Sequence, residues 1–314
     1  MQLGQGRERA RLPARSTSGD ARRLLPLVVR RRLGEVWSGR PTAGAVGQRF
    51  VMAKMSTRRK LAIATWGSPR EGNIYGKMTL DATAAVAHLE RLSHETGEHV
   101  TMTHFVGKVM AEVLAKSPGL NGFLRFGTYH QHRTADVSFL VNIGEGTDVS
   151  NVKVKELDRK SILELARELN GKASKVRHGD DEAFNKSTDV LRSLPTWALR
   201  PTLSVLGWLT GSAGIEVKSA GLRRFPFGGC MISNVGMFGL DEGYMPPTPF
   251  AHIPIYLLIG AIREQPTVVD GEIVVRKLIT LSATVDHRFI DGYQAGVLAH
   301  TARDCFENPE RFGA

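Results

Sequence analysis

The sequence predicts a single α/β (α+β) domain with helices and strands interleaved along one chain. Three observations carry this. Apolar residues recur at helical spacing in three segments before residue 180 and in one near the C-terminal end. Short runs rich in β-branched and aromatic residues lie between them. After residue 55, neither an internal repeat nor a low-complexity linker divides the chain. With 314 residues, 42% apolar and 23% charged, the chain can bury a sizeable core.

Residues 1–54 have no Lys before Lys54, scattered Gly and Pro, and no sustained period, so they read as a disordered or targeting leader ahead of a folded domain over 55–314. An Arg-rich, acid-poor head resembles a mitochondrial transit peptide; the alternative is that translation begins at Met52 or Met55. Residues 56–66 read as a short basic helix or turn and 72–79 as a strand. Asp81 caps a helix with Val86, Leu89 and Leu92 on one side, ending near Gly97. Thr101 or Thr103 caps the next, in which Phe105, Val106, Val109, Met110, Val113 and Leu114 face a core and Pro118 is the stop. His104, near its start, reads as structural. Residues 123–131 and 135–144 read as the two arms of a hairpin, and 149–154 as a further strand. A helix over 161–176 places Ile162, Leu165, Ala166, Leu169 and Ala173 on one face, and a turn at Gly179 ends it. The apolar, proline-interrupted stretch 189–212 reads as two short helical runs forming a cap packed on the domain; a membrane-surface or acyl-chain-contacting element is the alternative. Strands follow at 229–236, 253–262 and 278–285, with a hairpin over 268–275 turning at Asp270-Gly271. A closing helix begins near Gly292 and runs through Val297, Leu298 and Ala302 toward Pro309.

The formal charge of +11 suggests an anionic partner until it is located. Residues 1–50 hold eleven Arg against Glu8, Asp20 and Glu35, a net of +8, which leaves +3 for the rest. No basic stripe with interleaved aromatics remains, so nucleic-acid binding by the folded part is not expected. Cys230 and Cys305 form no Cys-x-x-Cys pair and no metal-spaced cluster, so neither a disulfide scaffold nor a metal site is expected and a reducing compartment fits best. No run reaches the roughly 18 apolar residues of a membrane span, because Pro195, Arg200 and Pro201 interrupt the greasiest stretch. Gly171-Lys172-Ala173-Ser174 lacks the glycine spacing of a phosphate loop.

One stretch carries chemistry: Asp286-His287-Arg288-Phe289-Ile290-Asp291-Gly292, where a strand hands a histidine to the start of a helix. Histidine takes and returns a proton near neutral pH, and a strand end holds it stiffly. A carboxylate at Asp291 suits a helix N-terminus. Together with Ile232-Ser233-Asn234-Val235-Gly236-Met237-Phe238-Gly239, Arg58-Arg59-Lys60-Leu61-Ala62, Ser117-Pro118-Gly119-Leu120-Asn121, Val141-Asn142-Ile143-Gly144 and the strand near 255–262, it resembles the catalytic domain of the dihydrolipoamide acyltransferases of 2-oxo acid dehydrogenase complexes. The resemblance covers roughly 56–309. It implies a chloramphenicol acetyltransferase-like fold, a mixed β-sheet flanked by helices.

By that resemblance the chain moves an acyl group between CoA and a thiol such as dihydrolipoamide. A thiol of pKa about 8.5 is mostly protonated at neutral pH, so a base must take its proton during attack; His287 is the candidate. The Ser233 hydroxyl is the implied donor to the developing oxyanion, worth roughly 3 kcal/mol of barrier. Asp291 organises the turn through an ion pair implied with Arg58 or Arg59. Asn234, Gly236 and Gly292 support the backbone, glycine permitting close approach. CoA-binding residues stay unassigned. Alternatives are an acyltransferase of the same fold with a small-molecule hydroxyl, an amine or a carrier thiol as acceptor, and a non-catalytic trimeric scaffold of a dehydrogenase complex.

The implied assembly is a homotrimer with active sites between subunits. The polar ending over 305–314 points to an isolated trimer rather than a large core, and a lipoyl group would arrive in trans, on a lipoyl-bearing protein beside dehydrogenase components. The expected location is cytoplasmic, or the mitochondrial matrix if the leader is a transit peptide. The segment 145–152 and the insertion 189–212 depart from the family pattern.

Overall fold

The computed structural model describes residues 72–143, 148–178, 196–216, 222–248 and 250–313. The expected leader, the segment with Arg58 and Arg59, the turn expected at Gly179 and the first part of the expected insertion lie outside the described residues, as do Glu145, Gly146 and Thr147.

The chain enters on strand β1 (Asn73–Asp81), whose last residue turns it into helix α1 (Thr83–Thr96). Ala82 occupies the cap position, but the Asp81 carboxylate accepts the Thr83 N–H at 2.9 Å, so the expected acidic start acts from one residue upstream. Gly97, with φ 71°, ends α1 in the left-handed conformation that glycine adopts without a Cβ clash. Helix α2 (Met102–Lys116) opens with Thr101 and His104 in a reciprocal capping box. The six apolar residues expected to face a core are all buried. Ser161 and Glu164 bond reciprocally at the start of helix α3 (Ile162–His178).

Between α2 and α3 come β2 (Gly122–Arg125), β3 (Thr128–Gln131), β4 (Val137–Ile143) and β5 (Asp148–Val154). Here the expected hairpin is corrected. Its first arm is itself a hairpin, β2 against β3, turning at Phe126 and Gly127 with φ 50° and 71°. Its second arm, β4, pairs instead with β5 and with a later strand. A Phe in a left-handed turn position carries no turn signal in sequence, and the two arms therefore read as one strand.

The second half supplies helix α4 (Thr196–Gly207), then β6 (Cys230–Asn234), β7 (Ile255–Ile259), β8 (Arg263–Val269), β9 (Glu272–Asp286) and helix α5 (Gly292–Glu307). Pro201 lies inside α4 and does not divide it, at the cost of one backbone hydrogen bond. The Asp270-Gly271 turn is confirmed, φ 51° and 89°, but the strand expected over 278–285 is continuous with the second arm of that hairpin. One 15-residue strand pairs first with β8 and then with β1.

The main sheet runs β1-β9-β7-β6-β4-β5, with β8 on β9. Strands β4, β6 and β7 are parallel; the other pairings are antiparallel. Along β9, Ile279, Leu281, Ala283 and Val285 join the core formed with α1, α2, α3 and α5. Strand alternation therefore turns Thr280, Ser282, Thr284 and Asp286 to the opposite face. A second cluster, Met231, Met245, Ala251, Ile253 and Tyr256, packs separately from that core. The segment after β6 approaches β7 and β1: a Cβ on Gly260 would stand 1.9 Å from the Asp241 carbonyl oxygen, Glu242 pairs with Lys77, and Tyr244 meets Tyr75 edge-on. The ending that reads as polar sends Phe306 and Phe312 into this chain's own core, each edge-on to Phe105.

His104 is 3% exposed, and burial, with His99 adding to it, pushes its imidazole down to about 4. Its Nδ1 accepts the Thr101 N–H, which a protonated ring cannot do. The unfolded chain takes up this proton near pH 6.5 and the folded one only near 4, so stability falls as pH drops through that window. We predict that His104→Gln, which keeps a capping-box residue, removes roughly 3 kcal/mol of the acid-side fall between pH 6.5 and 4. Urea titrations of both proteins across that range check this; parallel pH curves would refute it.

Candidate active site

His287 follows the last residue of β9, in the turn that leads to α5. Its backbone N–H donates to the Gly72 carbonyl at 2.7 Å. Its Nδ1 bonds the Ile290 carbonyl. A carbonyl only accepts, so Nδ1 is the protonated nitrogen, and the neutral ring carries its lone pair on Nε2. The residue is half-buried.

Two residues flanking the histidine hold the turn, and no role had been assigned to them from sequence. Asp286, 2% exposed, accepts the Arg288 backbone N–H at 3.0 Å and grips the guanidinium through both oxygens, with Nε at 2.9 Å from each and Nη2 2.5 Å from Oδ2. The Asp286 N–H bonds Pro254, and its carbonyl accepts from Phe289. An acid and a base on either side of a histidine are visible in sequence, but only a tight turn brings residues two apart face to face.

Asp291 is the N-cap of α5: its Oδ1 accepts the Tyr293 N–H at 3.0 Å, and its own N–H donates to Gln294 Oε1 at 2.9 Å. The expected partners Arg58 and Arg59 lie outside the described residues. Gly292 opens α5 with open space where a Cβ would stand, so no close contact demands glycine there.

Ser233 is the fourth residue of β6 and half-buried. Asn234 Nδ2 donates to Thr103 Oγ1 in the first turn of α2 at 3.0 Å, fixing the strand end. Gly236 is required by close approach, since a Cβ would stand 2.5 Å from the Gly260 carbonyl oxygen.

The sheet does not bring Ser233 and His287 together in one chain. Ser233 pairs with Leu258, which pairs with Ser282, five residues before His287. At about 3.3 Å per residue and 4.8 Å per strand, their Cα atoms are roughly 19 Å apart. The serine lies at the end where β6 and β7 finish; the histidine lies where they begin. Among the described residues no cluster of three or more His, Cys, Asp or Glu could hold a metal ion, and no helix is long and apolar enough to cross a membrane.

Removing one partner of a buried ion pair leaves the other uncompensated. We predict that Arg288→Met destabilises the chain by about 3–5 kcal/mol and that adding Asp286→Asn recovers part of the loss. Chemical denaturation of the single and double variants measures both; a double variant less stable than Arg288→Met would exclude the pairing argument.

Comparison with known proteins matches these features to a family. The model of the 2-oxoacid dehydrogenases acyltransferase (catalytic domain) family matches residues 57–184 and 222–314. The dihydrolipoyllysine-residue acetyltransferase component of the pyruvate dehydrogenase complex of Bacillus subtilis (strain 168) is 30% identical over 234 residues, 71% of this chain and 42% of that protein. The chain thus spans less than half the length of this curated relative. Among solved structures, a probable dihydrolipoamide acetyltransferase from Listeria monocytogenes 4b F2365 superposes with a TM-score of 0.56 at 20% identity, covering 84% of this chain and 94% of that one. The cubic core of a pyruvate dehydrogenase multienzyme complex gives 0.57 at 17% identity, covering 86% and 99%. These structural likenesses are of fold, and the fold has the mixed β-sheet flanked by helices expected from sequence. The chain belongs to the family of 2-oxoacid dehydrogenase acyltransferase catalytic domains.

Proposed function

We propose that this chain is a CoA-dependent acyltransferase that passes an acyl group between CoA and a dihydrolipoyl thiol, with His287 as base and Ser233 as oxyanion donor. The observation that carries the reading is the bond from His287 Nδ1 to the Ile290 carbonyl, which leaves Nε2 as the basic nitrogen. In the reaction a new sulfur–carbon bond forms at the thioester carbon and the old one breaks. The attacking thiol's proton goes to Nε2 and from there to the leaving sulfur. Charge gathers on the carbonyl oxygen during the exchange, and a hydroxyl aimed at it stabilises that charge.

The separation of Ser233 from His287 supports a site assembled from two copies, each giving one residue, and a cyclic trimer provides three such sites. The β8–β9 hairpin supports packing between copies. It extends beyond β1, and Val268 and Ile273, directly opposed, are 68% and 78% exposed, with Val275 on the same side at 68%. Such an edge is a surface that another chain covers.

We predict that His287→Ala and Ser233→Ala each lower turnover of acetyl-CoA with dihydrolipoamide by about 100-fold or more. Co-expressed in equal amounts, the two inactive chains should recover about a quarter of wild-type activity, because one pairing in four at each interface joins an intact histidine to an intact serine. Recovery no greater than the single variants would exclude a shared site, and unchanged activity of His287→Ala would remove the base. Sedimentation should give the mass of three chains of 34.4 kDa. A panel of alcohols and amines in place of the dithiol tests the acceptor.

A further inference from the structure

The family model passes over residues 185–221, and the described part of that gap is not a loose loop. Helix α4 ends at Gly207 and continues as a π-helical turn, Trp208–Ser212. Wide turns of this kind are rare and occur often at functional sites. Thr210, Gly211 and Ser212 are buried.

Two glycines one turn apart seat this segment on the loop before β7. A Cβ on Gly207 would stand 2.3 Å from the Phe250 carbonyl oxygen, and one on Gly211 would stand 3.2 Å from the Cβ of His252 and 3.3 Å from its Cδ2. Ser212 Oγ lies 3.5 Å from His252 Nδ1. The His252 backbone has φ 53°, a left-handed conformation that costs a non-glycine residue energy and persists only where its surroundings hold it. His252 lies within electrostatic reach of both members of the pair that braces the turn. Burial lowers its proton affinity most; the Arg288 charge lowers it further, and the Asp286 charge opposes both. Two residues on, the Pro254 carbonyl receives the Asp286 N–H.

We propose that segment 196–212, acting through His252, is a positioning element for His287. The π-turn presses on His252, the loop running from His252 to Pro254 bonds Asp286 of the Asp286–Arg288 clasp, and the clasp sets the direction of the histidine between them. This rests on the assignment of His287 as base. The segment is then an addition to the family's catalytic domain that tunes the base without touching substrate. The sequence offered one hint, the four-residue spacing of Gly207 and Gly211 inside an apolar stretch.

The test uses the full chain with acetyl-CoA and dihydrolipoamide. His252→Gly relieves the backbone conformation and deletes the wedge. It should lower kcat about tenfold with KM for acetyl-CoA unchanged, since a misplacement near 1 Å costs up to about 100-fold. His252→Asn, which tolerates the left-handed backbone and keeps a polar group toward Ser212, should return kcat to within about twofold. Gly211→Ala, which leaves His252 in place and crowds it, should lower kcat in the same direction and decides the matter if His252→Gly does not fold. Activity of His252→Gly and Gly211→Ala within about twofold of wild type, or a change confined to KM, overturns the proposal. Should His287→Ala keep full activity, the base assignment itself falls, and that outcome is read independently of the His252 variants.

Discussion

The turn that presents His287 depends on the burial of one carboxylate. Asp286 ends β9 with its side chain 2% exposed, and a charge so placed persists only with strong partners. It finds them within two residues, in the guanidinium and the backbone N–H of Arg288. The chain must fold back on itself to make those bonds, and that fold lifts the intervening histidine out of the strand. Its ring orientation follows from the next constraint, the bond from Nδ1 to Ile290. Asp291 then ends the turn by capping α5, so three consecutive polar devices leave the histidine little freedom.

The sheet gives this turn its location. β9 runs against β7, and β7 runs with β6, so the end of β9 and the end of β6 lie at opposite ends of the sheet. A fold in which all three strands were parallel would put histidine and serine on one side. The observed order separates them, which is the geometry behind the proposed site shared between copies. The protruding β8–β9 hairpin, with Val268, Ile273 and Val275 exposed, fits the same constraint.

The segment between β6 and β7 ties the two ends together. At the serine end, Gly236 lies against Gly260, and Gly260 under Asp241, contacts that admit no side chain. At the histidine end the chain returns through His252 and Pro254, where α4 and its π-turn close over it. The part of the sequence furthest from the family pattern therefore rests on the loop that supports its most family-like motif.

Much of this was legible in the residues alone. Helix spacing, the Thr101 and Asp291 starts, the glycine end at Gly97 and the Asp270-Gly271 turn are local features, set by side chains within a few positions of one another, and the structure has them where they were expected. Failures of local reading had local causes: a left-handed Phe126 hid a turn, and a tolerated Pro201 suggested a break. Beyond those, only tertiary structure could decide that β4 neighbours β6 across some ninety residues, that Asp286 is buried, and that Ser233 and His287 stand at opposite ends of the sheet. Strand order and burial are set by packing between distant segments, and the hydrophobic period of a strand says which face is inward without naming the strand beside it. The residues proposed for the chemistry can be picked out along the chain; the sheet sets Ser233 and His287 at opposite ends, so no single chain brings them together.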